Sequence, residues 1–287
     1  MLSIRSSCGM CFVGHMSLLE RSMRATPITR FDGDSAPESR DDILAAEEPL
    51  EIRVDGKSIA VVMRTPGYDR ELAAGFLVTE GILHRVEDVL DMVYCRGDNA
   101  EPEQNVPDVL LAPEASVDLS KLTRHVFTSS SCGICSKASI EAVQAQFPPI
   151  GKQLSPSRKV LDGLPGKLRA VQAGFDRTGG LHASALFLED GTLLAMREDV
   201  GRHNALDKVV GRAFFDGGLP LQNRILLVSG RVSFEIMQKA LGAGIPAVAA
   251  ISAPTSAAVE FAKASGQVLV GFLRKPRMNV YAGTLVD

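Results

Sequence analysis

Apolar and polar residues alternate in two short segments of the first third of the chain, with Asp55-Gly56 between them. The apolar positions are Leu50, Ile52 and Val54 in the first segment and Ile59, Val61 and Met63 in the second. Alternation with a period of two is typical of a half-buried strand, and glycine tolerates the positive φ of a type I′ turn. The pattern therefore predicts a β-hairpin. The runs 183–188 and 192–196 around Asp190-Gly191 predict a second hairpin.

Helical spacing of apolar residues follows the first hairpin. The residues that would share one helix face are Leu72, Ala73, Phe76 and Leu77. Asp69 can cap the start of this helix, and Gly81 would help to end it. Other patterns predict strands at 88–95 and 107–112 and helices at 136–147, 164–175 and 203–215.

The last quarter of the chain has a different pattern of apolar and polar residues. Short apolar segments at 224–228, 247–251 and 267–273 alternate with helical patterns at 233–241 and 256–264. Strands that alternate with helices predict an α/β fold with parallel strands. The start is turn-rich and polar, so we expect a disordered extension over 1–46, a small α+β subdomain over 47–125 and a larger α/β domain over 126–287.

Composition excludes several classes of protein. The 287 residues are 45% hydrophobic and 23% charged, as in an ordinary globular protein, and no run reaches the roughly 18 apolar residues of a membrane helix. A net charge of −3 and the absence of tryptophan argue against nucleic-acid and membrane partners. Five widely spaced cysteines and no signal-peptide pattern predict reduced thiols in the cytoplasm.

The cysteine pair Cys132-Gly133-Ile134-Cys135 precedes a predicted helix, and three interpretations are open. The thiols can be reactive, because a helix N-terminus lowers the pKa of a thiol and the thiolate can accept and pass on sulfur. The pair can also be half of a zinc site with Cys8 and Cys11, although the distance along the chain far exceeds that of a compact zinc ribbon. In the third interpretation the cysteines are packing residues.

Two turns lie where parallel strands would end and helices begin: Ser229-Gly230-Arg231 and Ser252 to Ser256, which includes Thr255. Open α/β sheets bind ligands at this edge, and small residues let backbone N–H groups approach a phosphate. Arg274, Lys275 and Arg277 follow the last strong strand and can bind a phosphate-bearing ligand. The alternatives are ordinary helix capping for the turns and a solvated basic tail for the cluster.

A dense polar run extends from Arg197 to Lys208. His203 and Asp207 are four residues apart on a predicted helix, so they can share a face and pair. The alternative is an amphipathic helix with a charged outer face. His182, at the start of a predicted strand, is by itself more typical of a structural histidine than of a catalyst.

Together these segments resemble one family, the formate dehydrogenase accessory sulfurtransferases, over about residues 47–282. The segments that carry the resemblance are 47–50, 64–66, 72–82, 130–135, 178–183, 197–208, 228–231 and 252–256. The run Gly201-Arg202-His203-Asn204-Ala205-Leu206-Asp207-Lys208 is the most specific of them. The resemblance implies a cytidine-deaminase-like three-layer α/β/α domain with a small α+β N-terminal part.

The resemblance also implies a function and a site. The chain would take sulfur as a persulfide from a cysteine desulfurase and pass it to the bis-molybdopterin guanine dinucleotide form of the molybdenum cofactor, a bound substrate, for formate dehydrogenase. Cys132 would carry the sulfur and Cys135 would assist. The resemblance implies no structural metal, and it implies that the chain forms a homodimer. The cofactor-binding residues would be Phe272, Leu273, Arg274, Lys275, Pro276, Arg277, Ser229, Gly230, Arg231, Ser252, Thr255, Ser256 and His203.

Other functions remain as alternatives. A cofactor chaperone that moves no sulfur would bind the cofactor without needing the thiols, and a dithiol redox protein would form a reversible Cys132–Cys135 disulfide. Zinc-dependent deamination is disfavoured, because Ser131 and Ser184 stand where a deaminase has proline and glutamate. Ser136 and Leu273 also depart from residues common in the family, and Cys8 and Cys11 have no counterpart there.

Overall fold

A computed structural model describes residues 17–96, 102–115, 117, 146–151 and 153–287. In the N-terminal part the elements are α1 Leu18–Arg21, β1 Met23–Arg30, β2 Glu38–Ala45, β3 Glu48–Val54, β4 Lys57–Arg64, α2 Asp69–Thr79, β5 Val89–Arg96 and β6 Pro102–Leu111. In the C-terminal part they are α3 Arg158–Arg169, α4 Ala173–Thr178, β7 His182–Leu188, β8 Leu193–Asp199, α5 Arg202–Phe215, β9 Arg224–Val228, α6 Phe234–Gly242, β10 Ala247–Ala250, α7 Ser256–Ser265, β11 Val268–Arg274 and β12 Arg277–Ala282.

The N-terminal sheet has four strands in the order β4-β3-β6-β5. Its first hairpin confirms the prediction around Asp55-Gly56: both turn residues have positive φ, 46° and 76°, as a type I′ turn requires. The Asp108 carboxylate accepts a hydrogen bond from the Gly56 N–H at 3.0 Å, which fixes the turn against β6.

The prediction of disorder over residues 1–46 is wrong for the part that the structure describes. β1 and β2 pair antiparallel from Met23–Ala45 to Arg30–Glu38 and form a two-stranded sheet. Most of its side chains are exposed, so no apolar alternation marks these strands in the sequence. Residues 1–16 lie outside the described part.

The C-terminal sheet has six strands in the order β12-β11-β10-β9-β7-β8. β9, β10 and β11 are mutually parallel, which confirms the predicted parallel layer. β7, β8 and β12 are antiparallel to their neighbours, and β12 was not predicted. The second predicted hairpin is β7 and β8.

Alternate residues of this sheet point to opposite faces and enter two different cores. Leu226 and Val248 join the larger core, with α2, α5, α6 and α7, whereas Leu227 and Ala249 pack against α3. The domain is therefore an α/β/α sandwich of three layers. The larger core also contains Leu50 and Ile52 of the N-terminal sheet, so one core crosses the predicted boundary at residue 125.

Helices α2 and α5 cross with their backbones in contact. A Cβ atom built at Gly75 would lie 1.7 Å from the backbone oxygen of Asp207, and one at Gly211 would lie 1.8 Å from that of Glu71. Only glycine fits at either position. This crossing joins the N-terminal part to the six-stranded sheet.

Two local predictions are wrong. Asp69 does not cap α2; the N-cap is Tyr68, without a side-chain cap, and Asp69 pairs instead with the buried Arg64 guanidinium at 2.8 Å. The helix predicted at 164–175 begins at Arg158, contains Pro165 and is broken after Arg169. Burial of three leucines, Leu161, Leu164 and Leu168, against the sheet outweighs the proline there.

Candidate functional site

The carboxyl ends of the parallel strands bring the predicted turns to one edge of the six-stranded sheet. β9, β10 and β11 all end at this edge, and the antiparallel β7 begins there with His182. Three segments are therefore neighbours: the Ser229–Arg231 turn, the Ser252–Ser256 turn and the end of β11. This edge is where open α/β sheets bind their ligands.

Backbone hydrogen bonds hold these segments together. The Thr255 N–H donates to the Val232 carbonyl at 2.9 Å, which ties the second turn to the first. The Phe272 N–H donates to the Ser252 carbonyl at 3.0 Å, and Arg274 Nε donates to the Ile251 carbonyl at 3.2 Å. The basic end of β11 is thus fixed beside the β10 turn.

The first turn lies against His182. Ser229 Oγ accepts a hydrogen bond from the Ala183 N–H at 2.9 Å. A Cβ atom at Gly230 would lie 3.2 Å from His182 Nδ1, so a larger residue would push the imidazole or the turn away. Glycine at position 230 therefore leaves room for the imidazole to lie close to the turn.

The remaining predicted residues differ in what they can offer a ligand. The Thr255 hydroxyl caps α7 by accepting from the Ala258 N–H at 3.3 Å, as the capping alternative expects. Leu273 is fully buried in the smaller core, so only its backbone can reach a ligand. Side chains exposed at the edge are those of Arg231, Thr255, Ser256, Phe272, Arg274, Lys275, Pro276 and Arg277.

Much of the polar run 197–208 is buried, which corrects the alternative of a charged outer face. Lys208 and Asp199 form an ion pair at 2.7 Å with both side chains almost completely inaccessible. Asp199 also accepts from the Thr65 N–H, and Lys208 donates to the Thr65 carbonyl. These residues therefore tie the segment after β4 to the end of β8 and to the middle of α5.

Asp207 belongs to a second buried cluster. It pairs with Lys239 of α6 at 3.0 Å and accepts from Thr79 of α2 at 2.8 Å. Burial raises the pKa of Asp207 to about 6, against the opposing charge of Lys239. The predicted pairing of His203 with Asp207 is wrong, because the Asp207 carboxylate is directed to these two partners instead.

His203 lies in the first turn of α5 and is largely buried. Its Nε2 atom is inaccessible and has no hydrogen-bond partner. Burial, together with the positive charges of Arg202 and Lys239, lowers the pKa of His203 to about 4. The imidazole is therefore neutral at physiological pH.

A cavity of about 460 Å³ opens beside the Ser229 turn. Its lining includes Arg169, Phe175, Gly180, His182, Ser229 and Ile251. Burial lowers the pKa of His182, and the charges of Arg202 and Arg231 act in the same direction. Sequence reasoning did not assign His182 and Arg202 to the site; the position of His182 at the start of β7, opposite the end of β9, was the signal that could have placed it there.

The predicted sulfur-carrying cysteines, Cys132 and Cys135, lie outside the described residues, as do Cys8, Cys11 and residues 136–145 of the predicted helix. Among the described residues, no group of three or more His, Cys, Asp or Glu is placed to hold a metal ion. No helix in the described ranges is long and apolar enough to span a membrane. The absence of a structural metal stays a prediction.

The fold and the edge together define a mixed α/β protein with a candidate ligand site at the ends of its parallel strands. The FdhD/NarQ family model matches residues 45–285. A relative from Streptomyces avermitilis named Sulfur carrier protein FdhD is 54% identical over 259 residues, which are 87% of this chain and 90% of the relative. A relative of the same name from Mycobacterium tuberculosis is 52% identical over 251 residues, which are 85% of this chain and 91% of the relative.

The chain belongs to the FdhD/NarQ family. Its fold is also that of a crystal structure from Desulfotalea psychrophila, assigned as a formate dehydrogenase accessory protein, with a TM-score of 0.72 at 23% sequence identity. That similarity covers 91% of this chain and 98% of the other. The family resemblance inferred from the sequence motifs is confirmed.

Proposed function

We propose that this chain is a sulfur carrier that serves formate dehydrogenase. One observation carries the proposal: over most of its length the chain is 54% identical to a protein named Sulfur carrier protein FdhD. The description of the Desulfotalea psychrophila protein as a formate dehydrogenase accessory protein supports the same target enzyme. The donor would be a cysteine desulfurase, and the acceptor the bis-molybdopterin guanine dinucleotide cofactor, bound as substrate.

The proposed chemistry needs two thiols. The Cys132 thiolate attacks the terminal sulfur of the donor persulfide; the S–S bond of the donor breaks, and the donor leaves as a thiolate while Cys132 becomes the persulfide. Cys135 then attacks the inner sulfur of Cys132 and expels the terminal sulfur as sulfide for the cofactor. The two electrons that reduce this sulfur come from the thiols, which form a disulfide that a cellular thiol must reduce.

The carboxyl edge of the six-stranded sheet is the proposed cofactor site. The Ser229–Arg231 and Ser252–Ser256 turns offer backbone N–H groups and small side chains, and Arg274, Lys275 and Arg277 offer positive charge. The exposed Phe272 ring lies between these two groups along the chain and can pack on a planar ring. His203, in the first turn of α5, completes the proposed set of cofactor-binding residues.

Three further features belong to the proposal. The three-layer domain is of the cytidine deaminase type but lacks the deaminase residues, the chain acts in the cytoplasm, and it works as a homodimer. Each follows from the family resemblance. The persulfide step does not depend on any of them.

Persulfide loading tests the proposed function. The full-length chain is incubated with an active cysteine desulfurase, its pyridoxal cofactor and cysteine, and the intact mass is measured. Wild type should gain about one sulfur mass, reversible by a thiol reductant, and Cys132→Ala should gain none because the attacking thiolate is missing. Cys135→Ala should load and retain the sulfur longer than wild type, because the thiol that expels it is absent.

Two results would count against this mechanism. Absence of loading in wild type, with the desulfurase shown to be active, would favour a cofactor chaperone that moves no sulfur. A reversible Cys132–Cys135 disulfide without any persulfide would favour a dithiol redox protein.

A further inference from the structure

Three side chains from different elements meet around the Gly230 turn. His182 begins β7, Arg202 begins α5 and Arg231 lies in the turn itself. A Cβ atom at Gly230 would lie 3.2 Å from His182 Nδ1 and 3.8 Å from the Cβ of Arg202, so His182 and Arg202 flank the same glycine. The three residues are far apart in sequence, and the arrangement of strands in the sheet brings them together.

Positive charge at this turn has no ion-paired carboxylate in the part of the chain that the structure describes, although the Glu235 carboxylate of α6 lies near enough to interact electrostatically with Arg202. There, Arg202 and Arg231 form no ion pair with a carboxylate, whereas Arg197, a few residues earlier, is held by Glu71 at 2.6 Å. Arg202 Nε is buried without a hydrogen-bond acceptor. A buried N–H without an acceptor is costly, so the arrangement lacks an anion.

The carboxylate at the end of β8, that of Asp199, already has several hydrogen-bond and ion-pair partners. Asp199 receives hydrogen bonds from Gly201 N–H at 2.8 Å and Asn204 Nδ2 at 2.9 Å, besides its ion pair with Lys208. It therefore has little capacity left to neutralise Arg202. The lowered pKa of His182 has burial as its main cause and the two guanidinium groups as a further cause, which agrees with an excess of positive charge here.

Space for a ligand adjoins these groups. His182 and Ser229 both line the cavity of about 460 Å³, and Gly230 presents backbone with no side chain. The arginine that lines the cavity, Arg169, is already paired with Asp176 and lies over the Phe175 ring at 5.1 Å. Arg202 and Arg231 do not line this cavity; they lie at the adjoining Gly230 turn, where they have no ion-pair partner among the described residues.

We propose that His182, Arg202 and Arg231 form a phosphate-binding site around the Gly230 turn. Guanidinium groups recognise phosphate oxygens in a forked geometry, and the neutral imidazole can donate a further hydrogen bond through its one N–H. The proposal rests on the proposed function in one respect: the phosphates would be those of the nucleotide-bearing cofactor. The site itself is defined by the geometry alone.

Calorimetric titration of the full chain with inorganic pyrophosphate tests the site. Wild type should show saturable binding, weakened at least about tenfold in Arg202→Gln and in the exposed Arg231→Gln, since each loses a charge-assisted hydrogen bond. The matched control is Arg212→Gln, because Arg212 lies on the same helix but is exposed and paired with Asp216 at 2.9 Å. Its affinity should stay within about twofold of wild type. A parallel titration with inorganic phosphate distinguishes a diphosphate ligand from a single phosphate.

Unchanged affinity in both Arg202→Gln and Arg231→Gln, or no saturable binding by folded wild type, would overturn the site. Thermal unfolding of each variant separates loss of a ligand contact from loss of the fold. The result is independent of the sulfur chemistry. If the chain loads sulfur on Cys132 but does not bind pyrophosphate, only the phosphate site is refuted. If it binds pyrophosphate but does not load sulfur, only the sulfur-carrier function is refuted.

Discussion

Replacing Gly75 by alanine is expected to lower the free energy of unfolding by more than about 4 kcal/mol, well beyond ordinary overpacking. The added methyl group would lie 1.7 Å from the Asp207 backbone oxygen, so α2 and α5 would have to separate. The Lys239–Asp207–Thr79 cluster spans this crossing and would be pulled apart. Gly211→Ala should act in the same way, because its methyl group would lie 1.8 Å from the Glu71 backbone oxygen.

Urea unfolding followed by circular dichroism measures this effect. The matched control is Gly163→Ala in α3, where an added Cβ meets nothing within 4 Å. That variant should be stabilised by about 0.5–1 kcal/mol through helix propensity alone. Equal stabilities of Gly75→Ala and wild type would show that the two helices do not cross as described.

Lys208→Met is expected to cost about 3–5 kcal/mol, because it leaves the Asp199 carboxylate buried without its ion-pair partner. The side chains of Lys208 and Asp199 are 1% and 0% exposed, so water cannot replace the lost ammonium group. The lost hydrogen bond to the Thr65 carbonyl, 2.8 Å from Nζ, also loosens the link between β4 and α5.

The control for Lys208→Met lies one turn further along the same helix. Arg212 pairs with Asp216 in solvent, and Arg212→Met should change stability by less than about 0.5 kcal/mol. Combining Lys208→Met with Asp199→Asn removes both charges, so the double variant should lose less than the sum of the single losses. Strict additivity would mean that the two groups do not interact.

Local patterns in the sequence predicted much of the fold. The Asp55-Gly56 hairpin and the strands β9, β10 and β11 have strong local signals, because alternation and buried apolar runs depend on neighbours along the chain. The hairpin of β1 and β2 has exposed side chains and therefore no such signal. The crossing at Gly75 and Gly211 depends on two helices far apart in sequence, which no local pattern indicates.

The sequence predicted which turns form the candidate site, but it did not predict which charged side chains near the site are buried. Ser229-Gly230-Arg231 and Ser252 to Ser256 could be placed at the sheet edge, since strand ends predict where a parallel sheet binds ligands. Composition alone assigns Asp207 and Lys208 to a solvated face, whereas in the structure each is paired and buried. Burial of charges is a property of tertiary packing, which local sequence patterns do not show.

Two tasks are proposed for the chain: sulfur would be carried on Cys132, and the acceptor cofactor would be held at the carboxyl edge of the six-stranded sheet. The described structure bears on the second task, through the convergence of the turns, the basic end of β11 and the cavity beside His182. The first task rests on the similarity to proteins named as sulfur carriers. A direct test must follow the sulfur atom itself.

That measurement is the transfer of ³⁵S from the persulfide-loaded chain to formate dehydrogenase whose cofactor lacks sulfur. After incubation the enzyme is isolated, its cofactor is released by denaturation, and the label in the cofactor is counted alongside formate oxidation. We expect label and activity to appear together with wild type, and neither to appear with Cys132→Ala. Activity gained equally with Cys132→Ala, or label that never leaves the wild-type chain, would contradict the claim that this protein delivers sulfur.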